Sequence, residues 1–272
     1  MDRIRRPLFP ALTEIYLRGC TFHTVCDFFE LLWACPQLSH LAMQDCEVQY
    51  DPADSSAITL MHEFHHKHID EILTKLTSLC IYEYPLSTNF RNVPGRPFGA
   101  AVTSLRIGCL SIADIETVPP FVQAFPALQD LHIAVLRTSM NGYYVDPHIR
   151  FDRPFICALA TNLRQLPYQR SHLRTLTIRV GYPYNGDWQH SSCSALFGPA
   201  VPRADLHVPR ELFPKLSRLE VDIRRGAEEE DRNACFQRIA SALPSMVDVL
   251  RFRDHREVTF AVVDGRLRVV SE

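Results

Sequence analysis

Eight short segments of this chain share one pattern: an apolar residue, two others, an apolar residue, one other, and a third apolar residue. They are LTEIYL from Leu12, LSHLAM from Leu38, LTSLCI from Leu76, VTSLRI from Val102, LQDLHI from Leu128, LRTLTI from Leu173, LSRLEV from Leu216 and, more loosely, VDVLRF from Val247. Successive starts lie 26, 38, 26, 26, 45, 43 and 31 residues apart. Three equal offsets among seven describe one repeating unit that accepts insertions. The second and third apolar positions alternate across one residue, which predicts a short strand with one face buried. In four units a proline stands two residues ahead of the leading leucine: Pro10, Pro36, Pro126 and Pro214. Proline cannot prolong a helix and pushes the residue before it towards extended geometry, so each marks a passage from helix to strand. The intervening segments read as helices. TFHTVCDFFELLWAC carries Phe22, Val25, Phe28, Phe29 and Leu32 at helical spacing, and SIADIETVPPFVQAF, PFICALATNLRQL and EEDRNACFQRIASAL follow suit.

Strand, turn, helix and proline at this period resemble the leucine-rich repeat, L-x-x-L-x-L-x-x-N/C-x-L. Cys20 and Cys46 stand at its cysteine position in the first two units, whereas Tyr84, Leu110, Leu136, Gly181 and Arg224 depart from it later. The 26-residue unit, the cysteine in the turn and the FPAL style of Phe9 to Leu12 are similar to the repeats of fungal F-box-like substrate receptors, over roughly residues 8 to 254. The resemblance implies an α/β leucine-rich repeat solenoid, a right-handed horseshoe or arc of about eight rungs over residues 1–254. Insertions are expected at about 84–100, 138–152 and 180–212; the last is rich in Pro, Gly and Ser and carries Tyr182, Tyr184 and Trp188. Residues 255–272 differ. Val258, Phe260 and Val262 alternate, Asp264-Gly265 supply a tight turn, and Leu267 and Val269 alternate again. That pattern predicts a β-hairpin cap over the last rung, whose edge would otherwise lie open.

Such solenoids bind partners on the concave face, where outward strand side chains stack in columns. The pattern assigns Tyr16, Arg18, His40, Gln44, Tyr82, Arg106, Asp130, His132, Arg179, Arg218, Glu220, Asp222, Arg251 and Arg253 to that face, with Glu14, Ser78, Ser104 and Thr175 beside them. The expectation is a non-catalytic module that holds a target protein there, as the substrate-binding part of an F-box-like ubiquitin-ligase receptor would. No F-box, a short helical module with a Leu-Pro signature, is visible ahead of Leu12. The resemblance therefore implies the C-terminal part of a longer receptor or an orphan scaffold without a ubiquitin-ligase role. A Skp-type adaptor is expected only if an F-box lies upstream.

One motif argues for chemistry. His62, Glu63 and His66 spell H-E-x-x-H, which on a helix sets two imidazoles one turn apart beside a carboxylate, as in zinc metallopeptidases. The alternative function is therefore a zinc peptidase with His62 and His66 as ligands and Glu63 as base. Against it, Ile69 and Ile72 occupy the places of the glycine and third histidine in the extended motif. Ile58, Met61, Ile69, Ile72, Leu73 and Leu76 form an apolar arc with His65 in its middle, so a packed helix explains the same letters. No metal or other cofactor is expected, and there is no G-x-S-x-G, Walker A or G-x-G-x-x-G motif. The acidic run from Glu228 to Asp231 reads as the first turn of a helix, where the dipole favours carboxylates.

Composition narrows the remaining classes. A net charge of -2 over 272 residues gives no electrostatic footprint for nucleic acid. No apolar run reaches the roughly 18 residues that span a bilayer. MDRIRRPLFP has no apolar segment behind its basic cluster, so no secretion leader is expected. Nine cysteines without a C-x-x-C pair point to reduced thiols in the cytoplasm or nucleus. In that setting Cys20 and Cys46 are expected to stack as thiols rather than to form a disulfide.

Overall fold

A computed structural model of the chain describes residues 8–23, 25–44, 46–48, 75–82, 100–109, 122, 125–136, 163–166, 172–181, 208–223, 233, 236–237, 239–241, 243–254 and 257–270. These build an α/β fold around one ten-stranded, mostly parallel sheet. In chain order the strands are β1 (Glu14–Arg18), β2 (Thr21–Phe22), β3 (His40–Gln44), β4 (Glu47–Val48), β5 (Ser78–Tyr82), β6 (Ser104–Cys109), β7 (Asp130–Leu136), β8 (Thr175–Gly181), β9 (Arg218–Ile223), β10 (Leu250–Arg253), β11 (Thr259–Val263) and β12 (Arg266–Val269). The large sheet runs β1-β3-β5-β6-β7-β8-β9-β10-β11-β12, and β2 pairs β4 in a small parallel sheet of their own.

The repeat spacing becomes the strand register. Glu14 pairs with His40, His40 with Ser78, Ser78 with Ser104, Ser104 with Asp130, Asp130 with Thr175 and Thr175 with Arg218. Leu219 then pairs with Leu250. These separations reproduce all seven sequence offsets, insertions included. Parallel neighbours need a crossover of a dozen residues or more, and a 26-residue unit leaves room for one after its strand.

Side chains alternate along each strand, so an in-register stack makes continuous rows. Leu41, Leu79, Leu105, Leu131, Leu176, Leu219 and Leu250 form one buried row, and Met43, Ile81, Ile107, Ile133, Ile178, Val221 and Phe252 the next. The leading residues Leu38, Leu76, Val102, Leu128, Leu173 and Leu216 join the same core cluster. Each fully buried aliphatic side chain contributes about 1.5–3 kcal/mol.

Helix α1 (Val25–Trp33) adds Phe28 and Leu32 to this core, and Phe22 meets Phe28 edge-on at 5.3 Å. Phe22, expected in the helix, instead sits in β2. The prolines act as turn formers. Leu12 N–H donates to Phe9 O, Leu38 to Cys35 O, Leu128 to Phe125 O and Leu216 to Phe213 O, which places each proline second in a four-residue turn. Its fixed φ is pre-set for that position. Phe125 and Phe213 insert fully into the core just ahead of their prolines.

The C-terminal hairpin forms as the turn signal predicts. β10 pairs antiparallel with β11, and β11 with β12. Asp264 (φ 51°) and Gly265 (φ 73°) are both left-handed, as the two-residue hairpin turn with positive φ at both centres requires. Chain reversal after β10 is held by Asp254, whose buried carboxylate accepts from Val258 N–H at 3.0 Å. Phe252 stacks on Phe236 at 4.4 Å, and Phe260 closes over the same ring at 5.8 Å.

One expected insertion, 180–212, is shortened at both ends. Val180 and Gly181 belong to β8, and Val208 to Leu212 includes a short 3-10 turn, Arg210–Leu212, with Val208 fully buried. The framework thus extends into both ends of the 180–212 insertion. The other expected insertions lie almost wholly outside the described residues. Among the described residues no helix is long and apolar enough to cross a membrane.

Candidate functional site

The non-core face of the sheet carries three rows of side chains. The first is Glu14, His40, Ser78, Ser104, Asp130, Thr175 and Arg218. The second runs Tyr16, Ala42, Cys80, Arg106, His132, Thr177, Glu220 and Arg251. The third contains Arg18 and Gln44 at one end, with the backbone of Tyr82 in register beside them, and Ala134, Arg179, Asp222 and Arg253 at the other. Of the fourteen residues assigned to this face by the sequence pattern, thirteen have side chains in these rows and Tyr82 has its backbone in register with them, because strict alternation and constant register leave them no other side.

Their environments differ along the face. Near β1, Tyr16 is 60% exposed and its hydroxyl donates to Gln44 Oε1. His40 is exposed, with Nδ1 2.8 Å from Ser39 Oγ. Arg106 and Asp130 are exposed at mid-sheet, and no hydrogen bond or ion pair engages Arg106 among the described residues.

Towards β9 and β10 the face becomes an ionic cluster. Arg179 Nε donates to Asp222 Oδ2 at 2.8 Å, and Asp222 is fully buried. Arg218 donates to Glu220 from both Nε and Nη2. Arg253 lies 3.9 Å from Glu220 and 3.8 Å from Glu257. Arg251 turns its guanidinium onto the carbonyls of Leu250 (2.9 Å) and Asp248 (3.2 Å). Glu220 and Asp222, expected among the contact residues, are thus buried carboxylates whose charge is met by flanking arginines. A buried carboxylate is tolerated only when so paired. Asp222 thereby holds Arg179, and Glu220 holds Arg218 and faces Arg253.

His132 sits between the free and paired arginines. Burial, then the nearby Arg179 and Arg106, push its pKa down to about 4, and Asp222 opposes them weakly. Its Nε2 is buried without a hydrogen-bond partner among the described residues. At neutral pH the ring is uncharged, so the positive character of this region comes from the arginines alone.

Two features beneath the face escaped the sequence reading. The residue after each leading apolar position offers one carbonyl to two N–H groups of the next unit: Thr13 O accepts from Ser39 and His40, and Ser39 O from Thr77 and Ser78. Thr77 O and Thr103 O repeat the arrangement for the units that follow. Hydroxyls at the same position join in, with Ser39, Thr77, Thr103 and Ser217 each donating to the preceding unit's carbonyl at 3.1–3.3 Å. The recurrent Ser/Thr second in LTEI, LSHL, LTSL, VTSL and LSRL was its signal. The turn cysteines also act alike. Cys20 Sγ donates to Arg18 O and Cys46 Sγ to Gln44 O, each across two residues, and both are free thiols. Burial pushes the Cys46 thiol up, which keeps it protonated.

His62, Glu63 and His66 lie outside the described residues. Among the described residues no group of three or more His, Cys, Asp or Glu side chains is placed to hold a metal. The side chain of Tyr82 is likewise outside them, although its backbone completes β5. The chain matches no family model and no curated protein sequence.

Proposed function

We propose that this protein is a non-catalytic recognition module with a leucine-rich repeat solenoid arrangement, and that it holds a target protein on the concave, polar face of its sheet. The observation that carries this reading is the register: seven sequence offsets become seven in-register strand pairings, all parallel and in chain order. A stack of that kind buries one face and aligns the other into a wide surface of repeating rows, the geometry with which repeat proteins bind. Aromatic and arginine side chains, the types that dominate interface energetics, stand on it at Tyr16, Arg106 and Arg179.

The role closest to this arrangement is the substrate-binding part of an F-box-like ubiquitin-ligase receptor. The chain would position the target, and transfer would be carried out by partners. Contact with a Skp-type adaptor would need an F-box module joined to it; without one, the same face serves an orphan scaffold. Free thiols at Cys20, Cys35, Cys46 and Cys80 suit the cytoplasm or nucleus.

The test is affinity capture with quantitative mass spectrometry, using wild type, an Arg106→Glu/Asp130→Lys face variant and a Lys215→Glu control at an exposed turn. A partner retained by wild type and control, and depleted about tenfold or more by the face variant, supports the reading. Partners indifferent to the face variant would refute it.

A further inference from the structure

β1 ends the strand order and presents an open edge among the described residues. Leading residues of later units, such as Leu38, Leu128 and Leu216, are at most 2% exposed, whereas Leu12 is 39% exposed. Phe9 is 50% exposed, although Phe125 and Phe213 at the same turn position are fully buried. The first unit therefore has the apolar layer of an interior unit and nothing packed on its outer side among the described residues.

The edge's hydrogen-bonding groups can be assigned. Thr13 O accepts from His40 N–H, and Gly19 N–H donates to Gln44 O, so both residues bond towards β3. Bonding residues alternate along a parallel ladder, so Ile15 and Leu17 also face β3. The N–H and C=O groups of Glu14, Tyr16 and Arg18 point off the sheet. Neither Glu14 nor Arg18 has a side-chain partner among the described residues, and both are exposed.

We propose that β1 pairs with β1 of a second copy of this chain, antiparallel about a two-fold axis at Tyr16. The strand Glu-Ile-Tyr-Leu-Arg is self-complementary under that operation. Glu14 falls opposite Arg18 of the other copy, twice; Ile15 falls opposite Leu17, twice; Tyr16 meets its own equivalent. The three residues with outward backbone groups become the hydrogen-bonded pairs of the antiparallel ladder, and the charges meet on the polar face. A parallel arrangement would set Glu14 on Glu14 and Arg18 on Arg18, which is repulsive. The contact is isologous and closes at two copies. It also joins the two polar faces in one sheet, so a target with two epitopes meets both.

Sedimentation-velocity ultracentrifugation of the full chain from about 1 to 300 µM tests this, since an interface of one strand pair belongs to the small, weak class. The expected result is a monomer–dimer equilibrium within that range. Arg18→Glu and Glu14→Arg each weaken dimerisation about tenfold or more, because both cross-strand pairs turn repulsive. Glu14→Arg/Arg18→Glu restores it to within about threefold, since the exchanged charges are again complementary. Circular dichroism and melting of each variant separate lost association from lost folding. Wild type that stays monomeric throughout overturns the proposal and leaves the edge to a foreign strand. A dimer indifferent to Arg18→Glu, or a double variant that stays monomeric, overturns it as well.

Discussion

Replacing Arg179 with methionine keeps the aliphatic stem and deletes the guanidinium that Asp222 faces. Asp222 is fully buried and accepts from Arg179 Nε at 2.8 Å, so the substitution removes a charged donor from a carboxylate held away from water. Removing one partner of a buried ion pair typically costs ~3–5 kcal/mol. The Arg179 side chain is 35% exposed, so water already screens part of the attraction, and the expected loss is about 2–3 kcal/mol. Urea denaturation reads this as a lower midpoint at unchanged slope. Arg179→Met/Asp222→Leu should recover most of the loss, because a buried pair replaced by apolar groups is close to neutral. The cycle should then show a coupling of at least about 1 kcal/mol. A second readout is independent of stability: without the Arg179 cation, the His132 pKa climbs from about 4 towards its ordinary value, as an NMR titration of the ring would follow. The reasoning fails if Arg179→Met stays within about 0.5 kcal/mol of wild type, or if the double variant loses the sum of both single effects.

His132 makes the fold acid-sensitive. Its folded pKa of about 4 lies below the ordinary 6.5, so the unfolded chain binds the extra proton between those values and stability falls as pH drops from about 6.5 to 4. His132→Asn should remove about 2 kcal/mol of that pH dependence, a figure reduced for the ring's partial exposure, and thermal melts across the window would measure it. Leu176 is 1% exposed at the centre of the sheet, so Leu176→Ala should cost about 3 kcal/mol by denaturant titration; Ile15→Ala, on the half-buried first strand, should cost about 1 kcal/mol. Gly265→Ala should cost about 1–2 kcal/mol by the same assay. The cost comes from φ +73° alone, since a Cβ there meets nothing within 4 Å.

The strands and their register were legible because alternation marks every unit and, in four of the eight, a second local signal coincides with it. Alternation fixes which residues of LTEIYL or VTSLRI face the core, and ahead of Leu12, Leu38, Leu128 and Leu216 the Phe-Pro or Cys-Pro turn fixes where the strand begins. The Asp264-Gly265 hairpin was legible for the same reason: a tight turn with both centres left-handed suits few other dipeptides. What stayed hidden depends on neighbours distant in sequence. Arg-Leu-Glu-Val-Asp-Ile reads as an outward-facing acidic strand. Only when Arg179 and Arg253 are set beside it in register do Glu220 and Asp222 become buried, paired carboxylates. Arg251 is the local exception: its guanidinium turns back onto the carbonyls of Asp248 and Leu250, which alternation alone does not reveal. The hydroxyl ladder was visible as a recurrent Ser or Thr, but its meaning needs the preceding unit's carbonyl 26, 38 or 43 residues earlier. The H-E-x-x-H stretch keeps the two readings that its sequence allows, since His62, Glu63 and His66 lie outside the described residues.

Everything assigned to the polar face rests on the register, because a slip of one residue would exchange it with the core. Paired cysteines test that register directly. Ser104 and Asp130 are opposite one another on β6 and β7, at a strand spacing compatible with a disulfide. Ser104→Cys/Asp130→Cys, oxidised mildly and mapped by peptide mass spectrometry, should cross-link these two positions in high yield. Ser104→Cys/His132→Cys, two residues out of register on the same face, should not. Preferential linking of 104 to 132, or no link between 104 and 130, would contradict the in-register stack and the recognition role proposed for its polar face.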